Sequence, residues 1–137
     1  TPGSFTCTCN AGYSGSGVSC SDVDECATGA DNCSANATCS NTIGGFGCAC
    51  NPGYAGDGVT CTDLDECAGQ GGGDNCSADA SCTNTPGSFS CECNEGYAGN
   101  GVNCTDLNEC LGEGDGNGCA ADATCTNTPG GYGCECN

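Results

Sequence analysis

The sequence contains no lysine, arginine or histidine, and its 18 aspartates and glutamates give it a formal net charge of -18. It therefore has no basic patch to neutralise phosphates, which excludes nucleic-acid binding of that kind and disfavours attraction to anionic lipid head groups. The chain also lacks an obvious general base for neutral pH and an activated nucleophile, so we expect it not to be an enzyme. An acidic chain without internal counter-charges recruits cations, and carboxylate oxygens favour calcium.

Large apolar side chains are equally scarce. There is no Trp or Met, and three Phe and four Tyr stand against 26 Gly. This inventory cannot fill one large hydrophobic core, and no apolar run is long enough to insert into a membrane. We expect short units stapled by covalent bonds, without a sizeable pocket in which carboxylates could catalyse hydrolysis.

Cysteine is abundant, with 20 residues in a chain of 137. This density predicts disulfides formed in an oxidising compartment, so the protein is expected to be extracellular or at the cell surface. Cys26, Cys67 and Cys110 each directly follow an acidic tetrad, and successive members of this set lie 41 and 43 residues apart. The intervals between the following cysteines also recur, and only the first loop varies in length. The chain is therefore an array of repeats.

The repeats set the predicted boundaries. Residues 1–20 are the C-terminal part of one module, 21–61 and 62–104 are whole modules, and 105–137 is a module without its last loop. Cys7 and Cys136 then have no partner within their own modules. Both ends of the sequence stand in the same register of the repeat, which predicts a segment of a longer array.

Secondary structure is expected to be sparse. The stretch from Ala37 to Cys50 has β-forming residues on both sides of Gly44-Gly45, which predicts a hairpin turn at these glycines. The equivalent turns are predicted around Gly87-Ser88 and Gly130-Gly131. No segment has helical periodicity of useful length.

The spacing C-x6/8-C-x5-C-x8-C-x-C-x10-C and the tetrads Asp22–Glu25, Asp63–Glu66 and Asp106–Glu109 resemble the calcium-binding EGF-like family of fibrillins, fibulins and Notch-type ectodomains. The resemblance covers nearly the whole chain. It implies a small disulfide-rich fold, a linear array of EGF-like modules with short two-stranded β-hairpins and little or no helix.

The resemblance also implies the disulfide pairing. Six cysteines allow 15 pairings, and spacing alone cannot choose among them. The family joins the first cysteine to the third, the second to the fourth and the fifth to the sixth. The implied pairs are Cys9–Cys20, Cys26–Cys39, Cys33–Cys48, Cys50–Cys61, Cys67–Cys82, Cys76–Cys91, Cys93–Cys104, Cys110–Cys125 and Cys119–Cys134. Zinc binding by the C-x-C pairs is disfavoured, because structural zinc sites usually space their ligands more widely and often use His.

Three calcium sites follow from the same resemblance. In the family, the first and last tetrad residues and an Asn after the third cysteine supply side chains, while the second tetrad residue and two hairpin residues supply carbonyls. This donor number suits calcium. The implied ligands are Asp22, Val23, Glu25, Asn41, Thr42 and Gly45 in the first site, Asp63, Leu64, Glu66, Asn84, Thr85 and Ser88 in the second, and Asp106, Leu107, Glu109, Asn127, Thr128 and Gly131 in the third.

A tyrosine at each joint has an implied packing role. Family members pack an aromatic ring of one module on the next hairpin, and Tyr13, Tyr54 and Tyr97 match that position. They would face Ile43, Pro86 and Pro129. The alternative is that each ring covers a disulfide of its own module.

Modification signals are present as well. Asn32, Asn36, Asn75 and Asn103 begin N-x-S/T triplets, and Asn36 is the best acceptor because its triplet has no central cysteine. The family's O-fucose pattern implies Thr38, Ser81 and Thr124 as acceptors. Its hydroxylation pattern fits Asn41, Asn84 and Asn127.

Two functions remain open. The first is a calcium-rigidified structural rod within a filament or fibrous coat, with copies of itself or other extracellular proteins as partners. The second is a ligand-binding or adhesion ectodomain of a cell-surface receptor. Interchangeable repeats and the scarcity of Trp, Tyr and Arg favour the rod, since these residues supply most binding hot spots.

Overall fold

The computed structural model describes residues 3–137, so the first two residues of the predicted N-terminal module lie outside the description. The chain divides into two compact units, one ending at Leu64 and the other running from Asp65 to Asn137. All sheets in the described part of the chain are two-stranded antiparallel hairpins. The predicted fold class, a disulfide-rich array of short hairpins with little helix, is confirmed.

The first unit contains three hairpins and one helical turn. Strands β1 and β2 form a small hairpin, β3 and β4 a large one, and β5 and β6 a second small one. Helix α1 lies between the first two hairpins. The bounds are β1 (Tyr13–Gly15), β2 (Cys20–Asp22), α1 (Glu25–Thr28), β3 (Ala37–Thr42), β4 (Gly45–Cys50), β5 (Tyr54–Gly56) and β6 (Cys61–Asp63).

The second unit has two large hairpins, β7–β8 and β11–β12, with the small hairpin β9–β10 between them in the chain. Short 3-10 turns precede each large hairpin. The bounds are β7 (Ala80–Thr85), β8 (Ser88–Cys93), β9 (Tyr97–Gly99), β10 (Cys104–Asp106), β11 (Ala123–Thr128) and β12 (Gly131–Cys136), with 3-10 turns at Glu66–Ala68, Gln70–Gly72 and Glu109–Leu111.

The large hairpins turn one residue earlier than predicted. Thr42 pairs with Gly45, so Ile43 and Gly44 form the turn and Gly45 already belongs to β4. Gly44 has a φ of 82°, which glycine adopts without steric cost. In the other repeats, Pro occupies the first turn position and fixes its φ, and Gly follows. The turn needs a residue with negative φ followed by one with positive φ. Two adjacent glycines do not specify that order, because each of them adopts either sign of φ.

The helical turns are too short to show sequence periodicity, but the tetrads begin them. Asp24 caps α1, because its side chain accepts a hydrogen bond from the Ala27 N–H at 2.9 Å. Asp65 accepts from the Ala68 N–H in the same way at 3.0 Å. The third tetrad residues of the first two repeats are therefore N-caps.

No hydrophobic side chain of the described residues is fully buried. The buried polar or charged residues are instead three glutamates, Glu25, Glu66 and Glu109, which are 8 to 9% exposed. Because an ordinary core is missing, the fold depends on its cross-links.

Nine disulfides join the described residues in the pairs that the resemblance implies. They are Cys9–Cys20, Cys26–Cys39, Cys33–Cys48, Cys50–Cys61, Cys67–Cys82, Cys76–Cys91, Cys93–Cys104, Cys110–Cys125 and Cys119–Cys134. Cys7 and Cys136 are exposed free thiols. Both strands of each large hairpin thus carry a cysteine that is cross-linked to the segment before the hairpin.

Small and large hairpins meet within each unit through a Gly-Tyr pair. In the first unit, the Val23 N–H donates to the Gly12 carbonyl at 2.9 Å, and a Cβ on Gly12 would collide with the Gly44 carbonyl. Tyr13 lies against Gly44, whereas Ile43 is 87% exposed. The ring therefore contacts the turn glycine and leaves the predicted partner uncovered, because a glycine without a side chain admits the ring.

The second unit repeats this contact. A Cβ on Gly96 would collide with the Gly130 carbonyl, Tyr97 lies against Gly130, and the Leu107 N–H donates to the Gly96 carbonyl at 2.8 Å. None of the helical segments in residues 3–137 has the length and apolar character needed to cross a bilayer.

We predict that Gly96→Ala loosens this contact and Gly112→Ala does not. Both glycines have left-handed backbone, with φ of 82° and 84°, so both variants carry the same cost of about 1 to 2 kcal/mol for an L-residue. Nothing lies within 4 Å of a Cβ on Gly112, so only Gly96→Ala adds a collision. Hydrogen exchange of the Leu107 amide should accelerate by about tenfold or more in Gly96→Ala alone. Equal acceleration in both variants would contradict the contact.

Candidate functional site

Asp22 connects a small hairpin to the following large one. It is the last residue of β2, where it pairs with Tyr13 of β1. Its carboxylate accepts hydrogen bonds from the Asn41 amide at 2.9 Å and from the Gly44 N–H at 2.6 Å. The structure therefore brings together the first tetrad residue and the hairpin Asn that the resemblance assigns to one site.

Asp106 has the same position in the second unit. It ends β10, opposite Tyr97, and its carboxylate accepts from the Asn127 amide at 2.7 Å and from the Gly130 N–H. In both repeats the side-chain amide nitrogen of the Asn donates to the aspartate. The amide oxygen of the Asn is therefore directed away from that hydrogen bond. The oxygen of Asn127 is buried and accepts no hydrogen bond.

The hydrogen bonds to Asp22 stabilise its ionised form. The Gly44 N–H, followed by the Asn41 amide, lowers the pKa of the Asp22 carboxyl below its ordinary value. A metal ligand must be deprotonated, so this environment prepares Asp22 for a cation.

The buried glutamates provide the clearest test of fit for calcium. One carboxylate oxygen of each of Glu25, Glu66 and Glu109 is buried without any hydrogen-bond partner. An unpartnered buried carboxylate is costly, since burial removes its hydration. Oxygen atoms of this kind are the ligands that calcium accepts, so the residues fit the ion.

The hairpin ends place the implied carbonyl donors beside the Asn. Thr42 pairs with Gly45 directly after Asn41, and Thr128 pairs with Gly131 directly after Asn127. Bound calcium would be held by these carbonyls, the Asp, Glu and Asn side chains, and the carbonyls of Val23 and Leu107. It would supply the positive charge that the chain lacks.

The middle set of implied ligands is divided between the two units. Asp63 and Leu64 close the first unit, and the remaining four residues belong to the second. Within the second unit, Glu66 is 9% exposed, Asn84 lies on β7, and Thr85 pairs with Ser88.

Two other clusters of potential metal ligands contain disulfide sulfur. Asp31 lies near Cys33 and Cys39, and Asp74 lies near Cys76 and Cys82. All four cysteines are cross-linked, so they offer no thiolate to a metal. These clusters do not provide zinc ligands.

A cavity adjoins the third site, contrary to the expectation that the chain has no sizeable pocket. It has a volume of about 600 Å³ and is lined by Glu95, Leu107, Glu109, Asp115 and Tyr132, among others. The glycines of the loop at 112–118 give it width, because their missing side chains leave the space open. Its lining includes implied calcium ligands, so the cavity belongs to the same site.

The implied O-linked acceptors share one contact. The hydroxyls of Thr38, Ser81 and Thr124 donate to the side chains of Asn51, Asn94 and Asn137 at 2.6 to 2.7 Å. These asparagines, which directly follow the fifth cysteine, were missed by the sequence reasoning, although their recurrence after Cys50, Cys93 and Cys136 was a visible signal.

Family models match most of the chain. The EGF domain matches residues 26–61 and 70–104, the complement Clr-like EGF-like domain matches 4–25, and the calcium-binding EGF domain matches 106–137.

Individual relatives match single repeats. Mouse (Mus musculus) nidogen-2 is 50% identical over 40 residues, which is 29% of this chain and 3% of nidogen-2. Rat (Rattus norvegicus) uromodulin is 55% identical over 40 residues, 28% of this chain and 6% of the relative. Mouse fibulin-7 is 54% identical over 46 residues, 32% of this chain and 10% of fibulin-7. The chain thus matches a tenth or less of the length of these relatives. With nine disulfides, the segment is extracellular or at the cell surface.

We predict opposite effects of Glu25→Gln with and without calcium. The variant removes a charged ligand from the first site. Calcium affinity there should fall by at least about tenfold, because mutation of residues that only support a metal ligand already costs that much. Without calcium, the neutral amide should raise the free energy of unfolding, because it replaces an unpartnered buried charge. Titration calorimetry and denaturation in chelator measure the two effects.

Asp57→Asn is the matched control. Asp57 accepts hydrogen bonds from the Val59 and Thr60 amides within its own loop, and Asn100 makes the equivalent two bonds in the next repeat. The same charge is removed outside the site, so calcium affinity should change little. A similar loss in both variants would indicate general electrostatics and no ligand role for Glu25.

Proposed function

This chain belongs to the EGF-like domain family, and we propose that it is a calcium-rigidified structural rod, a segment of a longer extracellular EGF-repeat protein. Calcium binding itself is implied by the family, in which residues 106–137 match the calcium-binding EGF domain. The proposed ligands are the sets of six residues that the resemblance implies, of which the first and the third each lie within one unit.

One observation carries the proposal: the same carboxylate closes one hairpin and binds the turn of the next. Asp22 ends the small hairpin β1–β2 and accepts from Asn41 and Gly44 of the large hairpin β3–β4. A calcium ion on Asp22, Glu25 and Asn41 would fix the segment between these hairpins to both of them. Bending there would then require breaking metal-ligand bonds.

The role is mechanical, without catalysis. The chain has no histidine or lysine to transfer protons near neutral pH, and 18 of its 20 cysteines are cross-linked. Among the carboxylates in the cavity beside the third site, Glu109 is a proposed calcium ligand.

The rod is further proposed to be part of a filament or fibrous coat. Three calcium ions reduce the charge of -18 only to about -12, so parallel rods repel within a Debye length of about 8 Å at physiological salt. Lateral packing therefore needs additional cations, glycans or a basic protein, whereas end-to-end assembly has less repulsion to overcome.

We predict that calcium removal broadens the distribution of shapes and leaves the hairpins intact. Small-angle X-ray scattering of the whole chain should show a changed maximum dimension and radius of gyration in chelator, while the disulfides preserve each repeat. The triple variant Glu25→Gln, Glu66→Gln, Glu109→Gln should resemble chelated protein even in calcium, and Asp57→Asn should resemble the wild type. Identical scattering with and without calcium would refute rigidification.

We also predict that electron microscopy of the native source shows long assemblies containing this sequence. Their diameter separates single-file fibres from bundles, since the remaining negative charge favours single file. If the intact protein is instead a membrane-anchored monomer of a few repeats with a saturable ligand, the receptor ectodomain is the correct function.

A further inference from the structure

Asn36 is the one N-x-S/T asparagine without a central cysteine. The other three triplets have Cys33, Cys76 or Cys104 in the middle, and each of these forms a disulfide. The half-buried side chain of Asn36 makes no hydrogen bond among the described residues, and its backbone N–H donates to the Ser34 hydroxyl at 3.2 Å. Its amide nitrogen is therefore available for modification.

Asn36 lies in the turn directly before β3, two residues from Thr38. Ala37 pairs with Cys50, and the Asn51 N–H donates to the Asn36 carbonyl at 2.9 Å, so the ladder continues one step beyond β3. The Thr38 hydroxyl donates to the side chain of the same Asn51 at 2.7 Å. Asn36 and Thr38 therefore both contact Asn51, and a substituent on Asn36 would be attached beside Thr38.

The three large hairpins form a natural comparison set. Thr38, Ser81 and Thr124 make the same hydrogen bond to an asparagine, at 2.7, 2.6 and 2.6 Å. The residue two positions before this hydroxyl differs among the repeats. It is Asn36 in the first large hairpin and Asp79 and Asp122 in the other two. Only the hairpin with Asn36 combines an N-linked and an O-linked acceptor.

We propose that Asn36 carries an N-linked glycan, and that this glycan closes the Thr38 hydroxyl to O-linked glycosylation while Ser81 and Thr124 remain open. Asparagine is glycosylated in the secretory pathway, where the disulfides also form. The glycan is attached two residues from Thr38, and chain geometry keeps the two residues within about 7 Å, which is far smaller than an oligosaccharide or the enzyme that must approach Thr38. The N-glycan thus restricts O-linked glycosylation to the hairpins that carry Ser81 and Thr124.

Both modifications are displacements at an anomeric carbon. The Asn36 amide nitrogen loses a proton and forms a C–N bond to the sugar of a lipid-linked oligosaccharide pyrophosphate, from which the lipid pyrophosphate leaves. In O-linked transfer, a hydroxyl oxygen loses its proton and forms a C–O bond to the sugar of a nucleotide sugar, and the nucleoside diphosphate leaves. Neither step requires an oxidant or a reductant.

The test is glycopeptide mass spectrometry of the whole chain secreted from eukaryotic cells, comparing the wild type with Asn36→Asp. The wild type should carry an N-glycan on Asn36, an O-linked sugar on Ser81 and Thr124, and none on Thr38. Asn36→Asp gives the hairpin the residue of its neighbours, so O-linked occupancy of Thr38 should rise to that of Ser81.

The reciprocal variant is Asp122→Asn, which creates an N-x-T triplet that ends at Thr124 and has Ala123 in the middle. It should gain an N-glycan at position 122 and lose the O-linked sugar on Thr124, with Ser81 unchanged as the internal control. Asp79→Asn is less suitable, because the Asp79 carboxylate lies near the Tyr97 hydroxyl, whose pKa is raised by desolvation and by this carboxylate.

Three results would overturn the proposal. If Asn36 carries no glycan in the secreted protein, the first half of the proposal is wrong. Molecules that carry both the N-glycan on Asn36 and an O-linked sugar on Thr38 remove the exclusion. Absence of O-linked sugar from Ser81 and Thr124 as well would also remove it, since Thr38 would then be no exception. None of these outcomes depends on whether the chain is a rod.

Discussion

Asp22 and Asp106 each use one carboxylate for two hairpins, and the arrangement of the chain around both joints depends on it. Each is the last rung of a small hairpin, and each accepts hydrogen bonds from the Asn and the turn glycine of the large hairpin that follows. The turn glycine in turn receives the tyrosine ring of the small hairpin. A contact of this kind requires no apolar core, only a short side chain, a backbone N–H and a missing Cβ.

Disulfides perform the work that hydrophobic burial performs in most domains. The disulfides restrict the unfolded chain, each contributing about 2 to 4 kcal/mol in that model, and they keep the repeats folded without help from neighbours. The buried oxygens of Glu25, Glu66 and Glu109 act in the opposite direction until a cation satisfies them. In the proposed rod, folding of a repeat and stiffening of a joint thus depend on different interactions, and removal of the metal would affect the joint more than the repeat.

The sequence predicted the hairpins and disulfide pairs well, because cysteine spacing and alternating β-formers are local patterns that a family resemblance can resolve. Three features were not predictable from these patterns. The turn at Ile43-Gly44 depends on the φ angle of one glycine, and the contact of Tyr13 with Gly44 depends on how two hairpins meet. The cavity beside Glu109 exists because a glycine-rich loop leaves space. The N-cap at Asp24 is compatible with a local sequence signal, because aspartate is a preferred N-cap residue, and it lies inside a tetrad whose first and last residues are implied calcium ligands.

Charge explains why salt alone should not replace calcium at these joints. Monovalent ions at physiological concentration screen exposed carboxylates beyond about 8 Å, which weakens the repulsion among the acids on the surface. The oxygens of Glu25 and Glu109 are buried and lack partners, so screening by the surrounding solution does not satisfy them. They require an ion that is bound directly, and a divalent ion also offsets the neighbouring Asp22 or Asp106 carboxylate. In a chain without a single basic side chain, no internal group can substitute for that ion, so in the proposed rod the stiffness of the joint would follow the calcium concentration of the surroundings.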